Sequence, residues 1–339
     1  MEAFIAMRVE QRRLLCEQAG NALGLAPASI EKDFWVCWTL RELFGLPIWG
    51  EQLAFKGGTS LSKGWKLIER FSEDIDVVIS RQFLGFDGET LSNNRQKKLI
   101  KTCSARIHRE LMPALTGHFR RRIPADQAWS LVPAPKEEDE DQQTLLFEYP
   151  PAVDSGAYVP PVVKIEMGAR SATEPTESPT LQSYLCETFP DIVGIGTFTI
   201  RTVAARRTFW DKVMLLHEET YRPPERAARQ ARMARHYYEI WSLIRKGVAD
   251  QALADAGLFA RVAAHRKSFF GYRWMDYSTL RPGSLRLLPL PHQVSAWQTD
   301  YQSMRSEMFF GDVPRFDEIL RVVAEFERRF NSMLAVPSP

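Results

Sequence analysis

The stretch 55–79 (FKGGTSLSKGWKLIERFSEDIDVVI) constrains the possible folds of this chain more than any other part of the sequence. A short apolar run ends there, and a tight turn at Gly57-Gly58 follows it. We expect Thr59 to cap a helix of about three turns that runs through Leu67. A second apolar segment, 75–79, then predicts another strand. The predicted order is therefore strand, turn, helix and strand.

The glycine turn is a candidate phosphate-binding site. Glycines let backbone N–H groups face outward, and a helix N-terminus adds partial positive charge at the same place. Ser60 adds a hydroxyl group to this turn. Gly57, Gly58, Thr59 and Ser60 are therefore candidate ligands of a phosphate. The alternative is an ordinary strand-to-helix turn, which is the more frequent reason for two glycines in this position.

Two carboxylates accompany the second strand of this stretch. Asp74 and Asp76 are two residues apart, and the period of two along a strand puts both on one face. Mg²⁺ prefers hard oxygen ligands and is often held by one or two carboxylates together with substrate phosphates. We therefore predict that Asp74 and Asp76 bind Mg²⁺. Such a pair alone is usually a solvated strand end, but its combination with the glycine turn is much more specific.

A third carboxylate is expected on a neighbouring strand. Glu166 lies within the apolar segment VVKIEM, which we place beside the strand of Asp74 and Asp76. From there it could act as a base or as a ligand of a second metal ion. The alternative is a charged strand residue that is paired with Lys164 or with Arg170.

The second half of the chain reads as helices. One helix is expected over 201–221, where FWDKVMLLHEE places Lys212, and another over about 225–246, where RHYYEIWSLI places Glu239. Arg235 is four residues before Glu239 and shares its helix face. Spacing alone favours a helical bundle with solvated charges.

Two basic stretches could contact nucleic acid. One is HFRRRI at 118–123, which follows a predicted long basic helix at 93–115, and a solvated strand end is an equally good explanation for it. The other is Arg229, Arg232 and Arg235 on the predicted helix that contains Glu239, for which spacing alone favours a solvated face. The formal net charge of +2 excludes a uniformly basic coat but not a local basic surface.

Length and composition fit a cytoplasmic enzyme with two parts. A chain of 339 residues with 45% hydrophobic residues can bury one large core or two smaller ones. The four cysteines are far apart, so we expect a reducing compartment and no zinc site. We predict neither a signal peptide nor a membrane span. The predicted fold class is α+β, with a small mixed sheet flanked by helices in residues 1–200 and a helical domain in residues 201–339.

These motifs resemble those of a known family. The sequence GGTSLSK followed by RFSEDID resembles the motifs of the nucleotidyltransferase fold of the DNA polymerase β superfamily. The resemblance is strongest to the AbiEii/AbiGii toxin branch of that superfamily. FWDKVMLLHEE and RHYYEIWSL resemble the third and fourth motifs of that branch, where a lysine contacts nucleotide phosphates and an acid follows a tyrosine. By position these residues are Lys212 and Glu239, although the family usually has Asp at the second. We expect the Glu239 carboxylate to hold Arg235 or Lys212. Residues 31–33 (Glu-Lys-Asp) also resemble a family signature, so one of these charges could approach the nucleotide.

The resemblance implies nucleotidyl transfer that depends on Mg²⁺, with the active site in a cleft between the two parts. An NTP would rest its phosphates on the glycine turn, and Mg²⁺ would bind Asp74 and Asp76. Lys63, Lys212 or both would neutralise the leaving pyrophosphate. Family members are toxins of toxin–antitoxin or phage-defence systems. The implied acceptor is therefore a host RNA such as a tRNA 3′ end, and the implied partner is an antitoxin protein.

Two other functions stay open. The same motifs would serve a transferase or a kinase-like toxin that modifies a protein, because they select no acceptor. The chain could also be a module that binds its antitoxin or RNA and has a vestigial site.

Overall fold

The structure, a computed structural model, describes residues 1–70, 74–88, 90–154, 160–223, 225, 231–309, 311 and 313–333. The chain forms two compact units. The first unit consists of residues 1–65, 72–88 and 92–203, and the second consists of residues 66–71, 89–91 and 204–339. A short piece from the first half of the sequence therefore belongs to the second unit.

The strands of the first unit form two sheets. They are β1 (Leu53–Lys56), β2 (Ile75–Ile79), β3 (Ser130–Pro133), β4 (Thr144–Glu148), β5 (Val162–Gly168), β6 (Thr176–Glu177), β7 (Thr180–Leu181), β8 (Phe198–Thr199) and β9 (Thr202–Val203). Within the described residues, the larger sheet has seven strands in the order β3-β4-β5-β2-β1-β9-β6, and β7 pairs with β8 separately. The larger sheet is mixed, and with its flanking helices it confirms the predicted α+β class.

Two central strands of the larger sheet carry the predicted carboxylates. β2 pairs with β1 in the antiparallel sense and with β5 in the parallel sense. Along β5, Val163, Ile165 and Met167 are buried, and the side chains between them are partly exposed. Because side chains alternate between the two faces of a sheet, one face of β5 packs on the core and the other meets solvent. The strand of Glu166 lies directly beside the strand of Asp76, as predicted.

Helices cover the sheet of the first unit. They are α1 (Glu2–Ala6), α2 (Val9–Leu23), α3 (Pro27–Phe44), α4 (Gly57–Thr59), α5 (Asn93–Arg106), α6 (Met112–Arg120), α7 (Tyr184–Thr188) and α8 (Pro190–Val193). The core is centred on α3, whose Trp35 and Trp38 rings pack against Phe119 of α6 and Phe147 of β4. Large aromatic rings of this kind supply much of the apolar area that stabilises a domain.

The helix starts and helix lengths of the first unit have local causes. α3 begins at Pro27, because proline suits the first helical position, where no N–H donor is needed. The long basic helix is interrupted by a π-helical turn over Ile107–Leu111 and then continues as α6 to Arg120. The HFRRRI stretch therefore begins inside a helix, and its interpretation as a strand end is wrong.

The second unit is helical in its described residues. Its helices are α9 (Ala205–Thr220), α10 (Arg235–Arg245), α11 (Val248–Ala254), α12 (Leu258–Phe270), α13 (Val294–Met308) and α14 (Phe316–Asn331). Trp210 of α9 packs its ring against Phe326 and Phe330 of α14. α10 begins at Arg235, about ten residues later than predicted. Arg229, which we had placed on this helix, lies outside the described residues.

Two structural observations concern the cysteines and the possibility of a membrane span. All four cysteines are free thiols and are buried. Across the part of the chain that the structure describes, no helix combines the length and the apolar character needed to cross a lipid bilayer.

Candidate active site

The glycine turn holds the Asp76 carboxylate close to the backbone. The chain leaves β1 at Gly57, whose φ of +80° is one that glycine adopts without strain. A Cβ atom on Gly57 would lie only 1.9 Å from Asp76 Oδ2. Any larger residue would therefore displace this carboxylate. Position 57 therefore requires glycine for two reasons, the backbone conformation of the turn and the lack of space for a side chain beside Asp76.

The helix after the turn is shorter than the sequence predicts. α4 continues only as a π-helical turn over Ser60–Gly64. The prediction of a three-turn helix through Leu67 is wrong, because Lys66 takes a left-handed φ of 53°. Residues 66–71 belong to the second unit, where the Leu67 carbonyl accepts a hydrogen bond from Ser242 Oγ at 2.5 Å.

Two hydroxyl groups fix the turn to its surroundings. Thr59 Oγ1 donates a hydrogen bond to the Asp74 carbonyl at 2.5 Å. Thr59 therefore joins the turn to the residue just before β2 and does not cap a helix as predicted. Ser60 Oγ donates to the Gly57 carbonyl at 2.8 Å. Both side chains are buried, so their hydroxyl groups shape the turn from within.

Three carboxylates and two lysines share one face of the sheet. In the parallel pairing of β2 and β5, Asp76 stands opposite Glu166. Their side chains are 25% and 40% exposed. Lys56 Nζ lies 3.9 Å from Asp76 Oδ1, and Lys164 Nζ lies 2.6 Å from Glu166 Oε1. Burial alone would lower the pKa of Lys164, but the carboxylates of Glu166 and Asp74 outweigh it and raise this pKa. Glu166 therefore adjoins Asp76 and is paired with Lys164, and its role as a base or as a ligand of a second metal ion stays a prediction.

The chemistry of this face suits Mg²⁺ in one specific way. Among the residues that the structure describes, no group of three or more histidine, cysteine or acidic side chains is placed to hold a metal ion. Asp74 and Asp76 offer a pair of hard oxygen ligands, and both side chains are accessible in part. Mg²⁺ often takes only one or two carboxylates and completes its coordination with water and substrate phosphates. The pair therefore fits an ion that is shared with a nucleotide.

Lys63 lies in a buried ion pair on the other side of the turn. Its Nζ is 2.7 Å from Asp33 Oδ1 and 3.5 Å from the centre of the Tyr184 ring. Burial alone would lower the pKa of Lys63, but the Asp33 carboxylate outweighs it and raises this pKa above its ordinary value. Asp33 is thus the charge of the 31–33 signature that approaches the turn. Contact of Lys63 with a pyrophosphate stays a prediction.

The second unit contains a buried charge network around Glu239. Its Oε2 lies 2.5 Å from Lys212 Nζ and 3.0 Å from His236 Nδ1, and its Oε1 lies 2.6 Å from Arg70 Nη2. Glu239 is 0% exposed, and the other three side chains are buried as well. Burial alone would raise the pKa of Glu239, but Lys212 and Arg70 outweigh it and hold this pKa well below its usual range. The carboxylate is therefore ionised at neutral pH.

Arg70 is the member of this network that the sequence analysis missed. We expected Glu239 to hold Arg235 or Lys212. Lys212 is a partner, whereas the guanidinium group of Arg235 donates to the Arg232 carbonyl. Arg70 donates to Glu239 through both Nε and Nη2. The available signal was its place as the first residue of RFSEDID, four residues before Asp74.

Comparison with known proteins identifies the family. The family model of the nucleotidyl transferase AbiEii toxin, type IV TA system, matches residues 38–322. This chain belongs to the AbiEii family. It is therefore a nucleotidyltransferase of the toxin type. Among solved structures it is similar to MenT4, a nucleotidyltransferase toxin from Mycobacterium tuberculosis H37Rv, with 17% sequence identity, a TM-score of 0.42, and coverage of 92% of this chain and 98% of that one. No curated protein matches the chain.

The motifs of this AbiEii nucleotidyltransferase fall into two groups of contacting residues. In the first unit, the glycine turn, Asp76 and Glu166 come together through the β1-β2-β5 pairing. In the second unit, Lys212 and Glu239 form the ion pair of the third and fourth motifs. Glu239 keeps the negative charge of the Asp that the family usually has at this position. Its two carboxylate oxygens contact different cations, Lys212 and Arg70.

Proposed function

We propose that this AbiEii nucleotidyltransferase transfers NMP from an NTP to a host RNA in a Mg²⁺-dependent reaction, with a tRNA 3′ end as the acceptor. The observation that carries the proposal is the face of the sheet where Asp76 stands opposite Glu166 and lies against the Gly57 turn. A phosphate-binding turn and adjacent carboxylates are the two features that phosphoryl transfer requires, namely positioning and charge stabilisation.

The turn would bind the phosphates of the NTP. The first N–H groups of a helix have no acceptor within the helix, and the helix dipole favours an anion there. Gly57, Gly58 and Thr59 supply these groups at the start of α4, whereas the Ser60 N–H already donates to the Gly57 carbonyl. Ser60 would therefore contribute through its position in the turn. Mg²⁺ held by Asp74 and Asp76 would supply Lewis-acid charge at the phosphate oxygens.

Glu166 is the proposed base. It is partly exposed, adjoins Asp76, and is paired with Lys164. Glu166 would accept the proton of an acceptor hydroxyl while the oxygen bonds to the α-phosphorus. The bond to the leaving pyrophosphate would break on the opposite side.

Lys212 is the proposed contact of the second unit with nucleotide phosphates, as its family motif implies. Glu239 and Arg70 would act through Lys212, because the Glu239 carboxylate bridges the two cations. A type IV toxin–antitoxin family implies a cognate antitoxin protein as a partner. We propose that the pair acts in the bacterial cytoplasm as a toxin–antitoxin or phage-defence system.

Labelling separates the possible acceptors. The purified protein is incubated with each α-labelled NTP, Mg²⁺, and either total tRNA or a cell lysate. We expect label in tRNA at its 3′ end, and none with Asp76→Asn. Label in protein would replace the RNA acceptor with a protein acceptor. Absence of transfer by the folded protein with every NTP would refute the proposal.

A further inference from the structure

A strongly basic helical surface lies outside the site described so far. The segment 93–122 covers α5, the π-helical turn, α6 and the two residues after it. Its acidic residue is Glu110. Its basic residues are Arg95, Lys97, Lys98, Lys101, Arg106, Arg109, Arg120, Arg121 and Arg122. The surplus of positive charge far exceeds that of the whole chain, whose formal net charge is +2.

Part of this charge is neutralised within the fold. Arg106 forms an ion pair with Glu110, and Arg122 pairs with Glu42 of α3. By contrast, no carboxylate of the described residues forms an ion pair with Lys97, Lys98 or Lys101, and all three side chains are exposed. These three lysines are therefore available to an external anion.

The three lysines share one face of α5. Lys101 is four residues after Lys97 and three after Lys98, whereas the buried side of the helix carries Leu99 and Cys103. Like charges at these spacings repel one another on a helix. Phosphates bound between the lysines would relieve this repulsion.

The helix that carries the lysine face packs near the carboxylate face within the first unit. Gln143 Nε2 donates a hydrogen bond to the carbonyl of Ile100, which is the residue before Lys101. Thr144, the next residue after Gln143, pairs with Glu166, and Glu166 stands opposite Asp76. α5 thus packs beside the end of β4 that neighbours the candidate base.

An acidic loop borders the same helix on one side. His108 contacts the Gln142 carbonyl at 3.0 Å, which brings the acidic residues 137–141 close to α5. Asp139 accepts hydrogen bonds from the backbone of residues 143 and 144, and Asp141 pairs with Arg170. The other acids of this loop would repel phosphates and direct a polyanion toward the lysine face.

From these observations we propose that Lys97, Lys98 and Lys101 form the docking surface for the phosphate backbone of the acceptor RNA. This inference rests on the proposed function, since it names where the body of the acceptor lies while its 3′ end is at the carboxylates. Lysine acts as a point charge on phosphates and reads no base, so the surface would set affinity and position but not sequence preference.

The test compares two triple variants for tRNA binding over a range of salt concentrations. One variant carries Lys97→Gln, Lys98→Gln and Lys101→Gln. The control carries Arg245→Gln, Lys267→Gln and Arg273→Gln, which removes the same charge from exposed positions of the second unit. For the lysine variant we expect roughly tenfold weaker binding and a salt slope lower by about 2 to 3, since each lost phosphate contact reduces the slope by about 1. The control should match the wild type.

Transfer assays separate failure of this inference from failure of the proposed function. With a nucleoside acceptor, which has no phosphate backbone to dock, the lysine variant should transfer NMP at the wild-type rate. If the wild type labels tRNA and the lysine variant binds tRNA with an unchanged salt slope, only the docking surface is refuted. Equal losses in both triple variants would also refute it, because net charge alone would then explain binding. If the wild type neither binds nor labels tRNA, the proposed function and the docking surface both fail.

Discussion

Replacement of Glu239 by alanine is the most direct test of the buried network in the second unit. The change removes one carboxylate that serves two cations, Lys212 through Oε2 and Arg70 through Oε1. These cations are 8% and 6% exposed, so solvent cannot replace the lost charge. Glu239→Ala therefore leaves two positive charges close together in a dry environment.

The expected loss of stability follows from this geometry. Removing one partner of a buried ion pair costs about 3–5 kcal/mol, because the other charge stays buried without compensation. For a protein of this size, that loss lowers the unfolding midpoint by about 4–7 °C. Glu239→Asp keeps the charge but is one methylene shorter, so it should hold one cation well and lose less. Glu239→Gln keeps the shape without the charge and should resemble the alanine variant.

Urea unfolding monitored by circular dichroism measures the free energy of unfolding of all three variants. The same preparations are then tested for NMP transfer at a temperature where each is folded. We expect almost no transfer with Glu239→Ala and a measurable fraction with Glu239→Asp. A free energy of unfolding for Glu239→Ala within about 1 kcal/mol of wild type, with normal transfer, would show that the bridging carboxylate does not hold the two cations as described.

Three further predictions concern the turn, the metal pair and pH. Gly57→Ala should abolish transfer, because the new Cβ would collide with the Asp76 carboxylate and alanine would have to adopt a left-handed φ. Transfer kinetics check this prediction. The control is Gly85→Ala at an exposed position, where φ is also positive but the space around the new Cβ is open. Asp76→Asn should also abolish transfer but leave the unfolding midpoint near that of the wild type, and normal turnover would remove Asp76 from the site. Burial is the main cause that lowers the pKa of His236 and of His217 to about 4. Between pH 4 and 6.5 the unfolded chain therefore binds more protons than the folded chain. The free energy of unfolding should therefore be constant above pH 6.5 and fall by up to about 3 kcal/mol per histidine as the pH is lowered to 4; urea titrations that show no such decline would contradict the burial of both rings.

Local patterns predicted the parts of the fold that depend on neighbours in sequence. The apolar segments 75–79 and VVKIEM were predicted as strands, and they form β2 and β5. The roles of Asp74 and Glu166 in catalysis stay predictions, since residue spacing supplies a position but no reaction.

The errors have a common physical origin in contacts between distant residues. The helix after the glycine turn stops early because the segment 66–71 contacts α10, which lies far away in sequence. For the same reason Arg70 could not be recognised as a partner of Glu239. Helical spacing suggested Arg235, which is nearby, but tertiary contacts selected a cation from the first half of the chain.

The segment 66–71 has a consequence for how this protein can be divided. α10 holds the segment at three points: Ser242 binds the Leu67 carbonyl, Tyr238 Oη accepts from the Glu69 N–H, and Glu239 pairs with Arg70. A chain cut after residue 203 would retain this segment and lose every one of those partners. Because one unit takes a segment from the first half of the sequence, no single cleavage yields two fragments that each contain a complete unit. A split or fused version of the toxin must therefore keep α10 together with residues 66–71.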